Sequence, residues 1–334
     1  MKTKTQQKKG KEKNESATKK KKKYRVRNWK EYNEALVNRG RIIFHITEEA
    51  LKQWEEAEQE KKKKRGRPKK FSDTAIETAL TLGQTLHLPL RGTEGLLSEI
   101  LSKLGSSCHA PDYSTLSIRG KTIPVSIRVR SPRERIHIAV DSTGVKVFGE
   151  GEWKVRKHGW SKRRTWLELH IGVDEKTGDV VVGEVTNNSV HDSEMVKPLL
   201  DQVPETVSID QFSGDGAYDT RSVYDILKER KVKHLTIPPQ KNAKIWKHGN
   251  TNGGVHPRDE NLRAIRKHGR RRWKELSGYH RRSLAETVMF RFKTIFTDKV
   301  PARIFENQRN QLLIRLKMLN RMTLLGMPET YVVA

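Results

Sequence analysis

The chain has 334 residues, enough for a sizeable core and two or three domains. Its formal net charge is +28 and its pI about 10.1, which makes a polyanion the default partner. A single cysteine, Cys108, excludes an intrachain disulfide framework and a cysteine-rich zinc site, and no run of about 18 apolar residues is present to span a bilayer. The start of the chain carries charge with no apolar segment behind it, so no secretory signal is expected. The expected setting is cytoplasmic and nucleoid-associated.

The charge is uneven. Residues 1–70 carry a net +15, and residues 241–293 a net +11. Residues 1–23 are Lys-rich, with Met1 and Ala17 as their apolar content, and are predicted to be a disordered basic tail. Residues 24–70 form a small N-terminal segment. It is predicted to hold a short helix, a strand-like piece at 41–46, and a helix opened by Thr47 with Glu48 and Glu49 in its first turn. The segment ends in KKKKRGRPKK at 61–70. This run reads either as AT-hook-like, with Arg65 and Arg67 placed in a narrow A·T minor groove, or as a basic linker.

Residues 71–130 read as a helical region. Ser72 or Asp73 can cap a helix reaching about Leu86. A second runs from about Thr93 to Leu104 and is stopped by Gly105. A third follows Pro111, with Ser114, Thr115, Arg119 and Lys121 on its exposed side. Three short helices with a basic third one suit a helix-turn-helix-like reader of DNA, or a plain packing module.

From about 131 the pattern changes. Strands are predicted at 135–140, 165–173, 180–185, 206–212 and 234–237, with helices at 189–200 and 220–230. Residues 240–275 are rich in Gly, Asn, Lys and Arg and are predicted to be a mobile basic loop. Its Trp246 and Trp273 either stack an unpaired base or pack the loop onto the sheet. A helix over 279–293 and another within 300–325 follow, and 326–334 is left as a C-terminal tail. The order gives a mixed α/β sheet flanked by helices, of ribonuclease H-like type, over 131–325.

On a helix, Tyr279, Arg282, Glu286 and Lys293 fall within roughly 40° of one another, opposite an apolar face of Ala285, Val288, Met289 and Phe292. Asp141 is placed at the end of the first strand and Asp215 just past the fourth. Sites in α/β sheets gather beyond strand ends. Asp141, Asp215 and Glu286 converging there would hold two Mg²⁺ ions, with Mn²⁺ as a substitute. Asp174, Asp179, Glu184, Asp192, Asp210 and Asp219 are rival acids. The turn accounts for Asp174 and Asp179, Asp219 could cap the next helix, and His191-Asp192 is the rival to watch. His158, His170, His191, His248 and His268 show no metal-ligand spacing and read as satisfied or solvated histidines.

Tyr279, Arg282, Glu286 and Lys293 match Y-x2-R-x3-E-x6-K in residue type and spacing. With AVDSTG at 139–144, GDGAYDT at 214–220, NWKEYNEALVNRG at 28–40 and LRGTEGLLSEIL at 90–101, the chain resembles DDE transposases of bacterial insertion sequences. The resemblance covers roughly residues 28–325; the Lys-rich tail and the GRPKK run fall outside it. It implies a ribonuclease H-like catalytic domain and Mg²⁺ dependence, with Asp141, Asp215 and Glu286 as metal ligands. It also implies double-stranded DNA as partner, at element ends and target, with Tyr279, Arg282 and Lys293 on the transposon end. Synapsis of two ends implies at least a homodimer. A ribonuclease H-like nuclease without strand transfer and an inactive DNA-binding repressor remain as alternatives.

Overall fold

Leu167, Leu169, Ile171 and Val173 alternate with Glu168, His170 and Gly172 along one strand, and this period of two gives the sheet two differently covered faces. The computed structural model describes residues 23–42, 48–55, 69–127, 135–147, 166–247 and 255–333. Residues 1–22 of the tail expected over 1–23, the AT-hook-like run with Arg65 and Arg67, and His158 and His248 lie outside the described residues, while Lys23 begins a strand. So does most of the strand-like piece, whose Arg41 and Ile42 instead end a helix.

The main sheet contains β2 (Arg135–Val147), β3 (Trp166–Asp174), β4 (Val180–Asn187), β5 (Ser208–Ser213) and β6 (His234–Thr236). Their spatial order is β4-β3-β2-β5-β6, and β7 (Lys299–Val300) pairs with β2 beyond the end of β5. The β2–β3 and β3–β4 pairs are antiparallel; β5, β6 and β7 add in parallel. This six-stranded mixed sheet flanked by helices is ribonuclease H-like.

One face is covered by a short 3₁₀ turn, Asp192–Met195, with α6 (Val196–Leu200), and by α7 (Arg221–Glu229). Ile136, Ile138 and Val140 of β2 pack there against Val196, Leu199, Val223 and Leu227. The segment after β4 was predicted to be capped by Ser189; His191 and Glu194 form the capping box instead.

The other face carries α9 (Ser283–Phe296) and α10 (Phe305–Leu325). It also carries the helical region: α3 (Asp73–Thr85), α4 (Leu90–Lys103) and α5 (Tyr113–Arg119). Ile76, Leu97 and Leu116 of those helices share one buried cluster with Ile171, Phe292 and Leu316. Buried polar groups reinforce this contact. Asn310 Nδ2 donates to the carbonyls of Gly120 (2.8 Å) and Ile123 (3.2 Å), and Arg315 Nε donates to Gln84 Oε1 at 2.8 Å. The helical region and the sheet are therefore two sides of one core.

Two expectations change. Residues 330–333 are β8 (Thr330–Val333), antiparallel to β1 (Lys23–Val26), rather than part of a tail. These strands flank α1 (Trp29–Ile42) and α2 (Glu48–Lys52) at one end of the molecule's sequence and α10 at the other. Most of the predicted basic loop is α8 (Pro257–Leu276). Its start carries strong local signals: a His256 cap, Pro at the first position, and Asp259 and Glu260 in the first turn. These outweigh its Gly and basic content. Gly269, at φ 80°, breaks the helix into two.

Candidate active site

Asp141 lies inside β2, not at its end, because Ser142, Thr143 and Gly144 continue the ladder with β3 as far as Lys146. On its other edge β2 pairs with β5 through Ala139 and with β7 from Lys146. Asp141 stands in the interval between these two partners. The end of the parallel ladder, rather than the end of the strand, is what exposes that edge.

Asp215 follows β5 after one residue and caps the 3₁₀ turn Gly216–Tyr218, its Oδ1 accepting from the Ala217 N–H at 2.8 Å. Gly214 is required here: a Cβ at that position would lie 2.8 Å from Tyr218 Cδ2. Tyr218 is buried. Burial above all, then the charges of Asp192, Asp141 and Asp215, push its phenol pKa up.

Glu286 occupies the first turn of α9. Tyr279 and Arg282 precede that helix in a 3₁₀ turn, Tyr279–Arg282, entered through Gly278 at φ 69°. The single helix expected over 279–293 is thus a tight turn running into an α-helix. The turn is anchored by Arg281, whose Nη2 donates to the Glu175 carbonyl at 3.1 Å and whose Nε lies 3.3 Å from Glu175 Oε2. Glu175 is buried and also accepts from Ser213 Oγ at 2.8 Å, which ties the turn to the end of β5.

Arg282 joins two of the acids. Its Nη1 donates to Asp141 Oδ2 at 3.1 Å and its Nη2 to Glu286 Oε1. Burial raises the Asp141 carboxyl above its ordinary value; Arg282 and the Ser142 N–H pull it back, and the charges of Asp215 and Glu286 push it further up. Arg282 thus brings Asp141 and Glu286 together and the Asp215 charge reaches Asp141, although the carboxylate oxygens of the three do not all lie within 4.8 Å of one another. Their donors are oxygens only, which fits a hard divalent cation such as Mg²⁺. Lys293 sits two turns along α9 from Glu286, half-buried and about 10 Å further along the axis. The Tyr279 ring packs at 5.8 Å from Trp273, with Lys274 and Arg282 over it at 4.9 and 5.7 Å.

The other predicted DNA contacts divide. Lys121 is exposed. Arg119 is not on the exposed side: it is buried, with Nη1 on the Phe71 carbonyl (2.7 Å) and Nη2 on Asp73 (2.5 Å). A seven-residue helix has too little surface to present every polar residue outward, and here the arginine closes the α3–α5 junction. Ser114 and Thr115 are engaged by the Asp112 cap. Trp273 is buried and its Nε1 donates to Asn261. The half-buried Trp246 packs edge-on to Tyr224 and His256 and lies 3.9 Å from the Arg258 guanidinium. Both tryptophans do what the packing alternative requires.

Among the rival acids, Asp174 serves its turn, accepting from Lys176 N–H and Thr177 Oγ1. Asp219 does not cap α7, which Thr220 does; it makes a two-point pair with Arg258 at 2.7 and 3.1 Å. Asp192 has a different place. Among the described residues, one group of three His, Cys, Asp or Glu side chains brings its ligand atoms within 4.8 Å of one another, and it is Glu168, His170 and Asp192. His170 is thus neither solvated nor fully satisfied. The signal for it was Glu168-x-His170 at strand period, followed by Asp192 after the hairpin.

Two family models match the chain, each described as a transposase DDE domain, one over residues 37–150 and the other over residues 132–321. The second alone spans more than half of the 334 residues and contains Asp141, Asp215 and Glu286. The chain belongs to the DDE transposase family.

Proposed function

We propose that this chain is an active transposase on double-stranded DNA: it binds the terminal inverted repeats of its element, cleaves there, and joins the freed 3′-OH to target DNA. The observation that supports this reading is the Arg282 side chain bridging Asp141 of β2 and Glu286 of α9, with Asp215 at the end of β5 near enough for its charge to act on Asp141. Two Mg²⁺ ions held by these carboxylates would supply activation of the attacking oxygen and stabilisation of the leaving one.

The chain's own residues do the rest. Asp141, Asp215 and Glu286 concentrate negative charge at the open edge of β2. Arg282 balances that charge while no cation is bound, and neutralises a phosphate oxygen once it is released. Lys293 supplies a second phosphate contact further along α9, and Tyr279 stacks on a base or hydrogen-bonds a phosphate. Lys121, the exposed Arg266, Lys267, Arg271 and Arg272 of α8, and Arg65 and Arg67 add sequence-independent attraction to the duplex. Two ends brought together require at least a homodimer.

A joining assay tests the reading. The protein is incubated with Mg²⁺, a labelled duplex carrying the element's terminal repeat, and a supercoiled plasmid. Joined product is expected, and Asp215→Ala and Glu286→Gln should abolish it while repeat binding persists. Cleavage without joining would replace this reading with that of a nuclease. Specific binding with neither reaction would replace it with that of a repressor.

A further inference from the structure

The face of the sheet turned away from α9 carries a second constellation. Asp141 and Ala139 lie on one side of β2, so Ser142, next along, shares the other side with Val140. Ser142 is paired across the ladder with His170. On β3, Glu168 and His170 point to the same side, since Leu167, Leu169 and Ile171 pack on the opposite one. Asp192 reaches them from the 3₁₀ turn after β4.

His170 is the informative member. It is completely buried. Its Nε2 is engaged at 2.9 Å by Thr186 Oγ1, which fixes the ring. Its Nδ1 lies 3.4 Å from Asp192 Oδ1, a contact that above all lowers the Asp192 carboxyl, yet neither atom has a hydrogen-bond partner of good geometry among the described residues. A buried nitrogen and a buried carboxylate oxygen therefore face one another across 3.4 Å. Glu168 joins them within 4.8 Å. Burial raises the Glu168 carboxyl, the like charge of Asp192 raises it further, and His170 pulls it part of the way back. Two carboxylates crowding one imidazole are relieved by a cation placed among them.

We propose that Glu168, His170 and Asp192 form a site for one divalent first-row transition-metal ion of the Zn²⁺ or Mn²⁺ type, separate from the Asp141, Asp215 and Glu286 site. The donor set decides the class. One imidazole with two carboxylates selects a borderline ion over Mg²⁺ or Ca²⁺, which favour oxygen alone. Thr186 on the far nitrogen is the outer partner that a metal-bound histidine usually has. Glu168 and Asp192 are only partly buried, so an ion can enter. The bound ion ties the turn after β4 to β3, beside Ser142 and hence one residue from Asp141. It serves as a clamp and takes no part in phosphoryl chemistry. The site stands whether or not the chain transposes DNA.

The test uses the full-length protein freed of metal with a chelator. Zn²⁺ is measured by equilibrium dialysis, and Co²⁺ by its visible absorption, which reports a nitrogen ligand. Native protein should take up one tightly bound Zn²⁺, gain a Co²⁺ spectrum and melt at a higher temperature with Zn²⁺. The Asp141→Asn/Glu286→Gln double variant should do the same. Asp192→Asn and Glu168→Gln should each bind at least about tenfold more weakly and lose the Zn²⁺-dependent gain in melting temperature. Far-UV circular dichroism checks folding, and Glu168→Gln decides the matter if Asp192→Asn fails to fold. Equal affinity in native protein and Glu168→Gln overturns the site. So does loss of Zn²⁺ from the Asp141→Asn/Glu286→Gln variant, which would assign the ion to the triad. Absence of tight Zn²⁺ from native protein would end the proposal.

Discussion

Arg282 closes on Asp141 across 141 residues of sequence, its Nη1 3.1 Å from Asp141 Oδ2, while its Nη2 holds Glu286. One guanidinium thereby spans two of the three acids that would bind metal. The charge of Asp141 and Glu286 is thus balanced from within the protein.

A divalent cation held by these acids would therefore compete with Arg282 for the same carboxylates. Replacing Arg282 by Gln removes the internal counter-charge. The metal-free variant should melt at a lower temperature than native protein, and Mg²⁺ should raise its melting temperature by at least about 2 °C more than it raises that of native protein. Equal Mg²⁺ shifts in the two proteins would show that Arg282 and the cation do not compete.

Arg258 and Asp219 are a buried pair, with side chains 5% and 1% exposed, and Arg258 also donates to the Lys244 carbonyl. Removing one partner strands a charge. Arg258→Ala should destabilise the protein by about 3–5 kcal/mol, read from urea unfolding. The double change Arg258→Met/Asp219→Leu should recover most of that loss. A single variant as stable as the native protein would mean that the pair is solvated.

Asp112 caps α5 by accepting from Ser114 and Thr115, and the Ser114 hydroxyl, followed by the Thr115 N–H and hydroxyl, lowers its carboxyl from 3.8 to about 2. Because the folded value is depressed, the cap stabilises above the unfolded value and is lost as pH falls through the window from about 4 to about 2. Asp112 is exposed, so Asp112→Ala should cost about 1 kcal/mol at pH 7. The gap between native and variant stability should be smaller at pH 3. A gap that stays constant with pH would assign the effect to something other than the charged cap.

Gly172 sits where β2, β3 and β4 are tightest. A Cβ there would lie 2.5 Å from Val182 Cγ2 and 3.0 Å from Ile138 Cγ2. Valine and isoleucine are stiff at χ1, so they yield little. Gly172→Ala should cost about 1–3 kcal/mol in a denaturant melt, and Val182→Ala placed beside it should restore part of the loss. Full stability of Gly172→Ala alone would show that the strands move apart freely.

That Asp141 lies on a strand, Asp215 just past another and Glu286 on a helix was legible from strand alternation, turn residues and a helical stripe. Their surroundings were harder to read. Ser142-Thr143-Gly144 looks like the end of a strand when considered alone; only the long partner β3 keeps β2 extended through it. The composition of 257–276 hid a helix whose cap and first turn were nonetheless present in His256, Pro257, Asp259 and Glu260. Arg119 looked outward by spacing, but its guanidinium is needed by the Phe71 carbonyl and Asp73, which are distant in sequence. The Glu168, His170 and Asp192 group needs a hairpin and a turn to assemble, so no single stretch reveals it.

Because Leu97 and Leu116 lie in the same apolar cluster as Ile171 and Phe292, the described residues show no seam along which the α3–α5 surface could swing relative to the edge of β2. On the proposed function the protein would act as a caliper with fixed jaws. A duplex gripped near Lys121 would present its backbone to Asp141 at one set offset. Inserting or deleting a few base pairs between grip and cut would rotate the strand out of reach, with no hinge there to absorb the error.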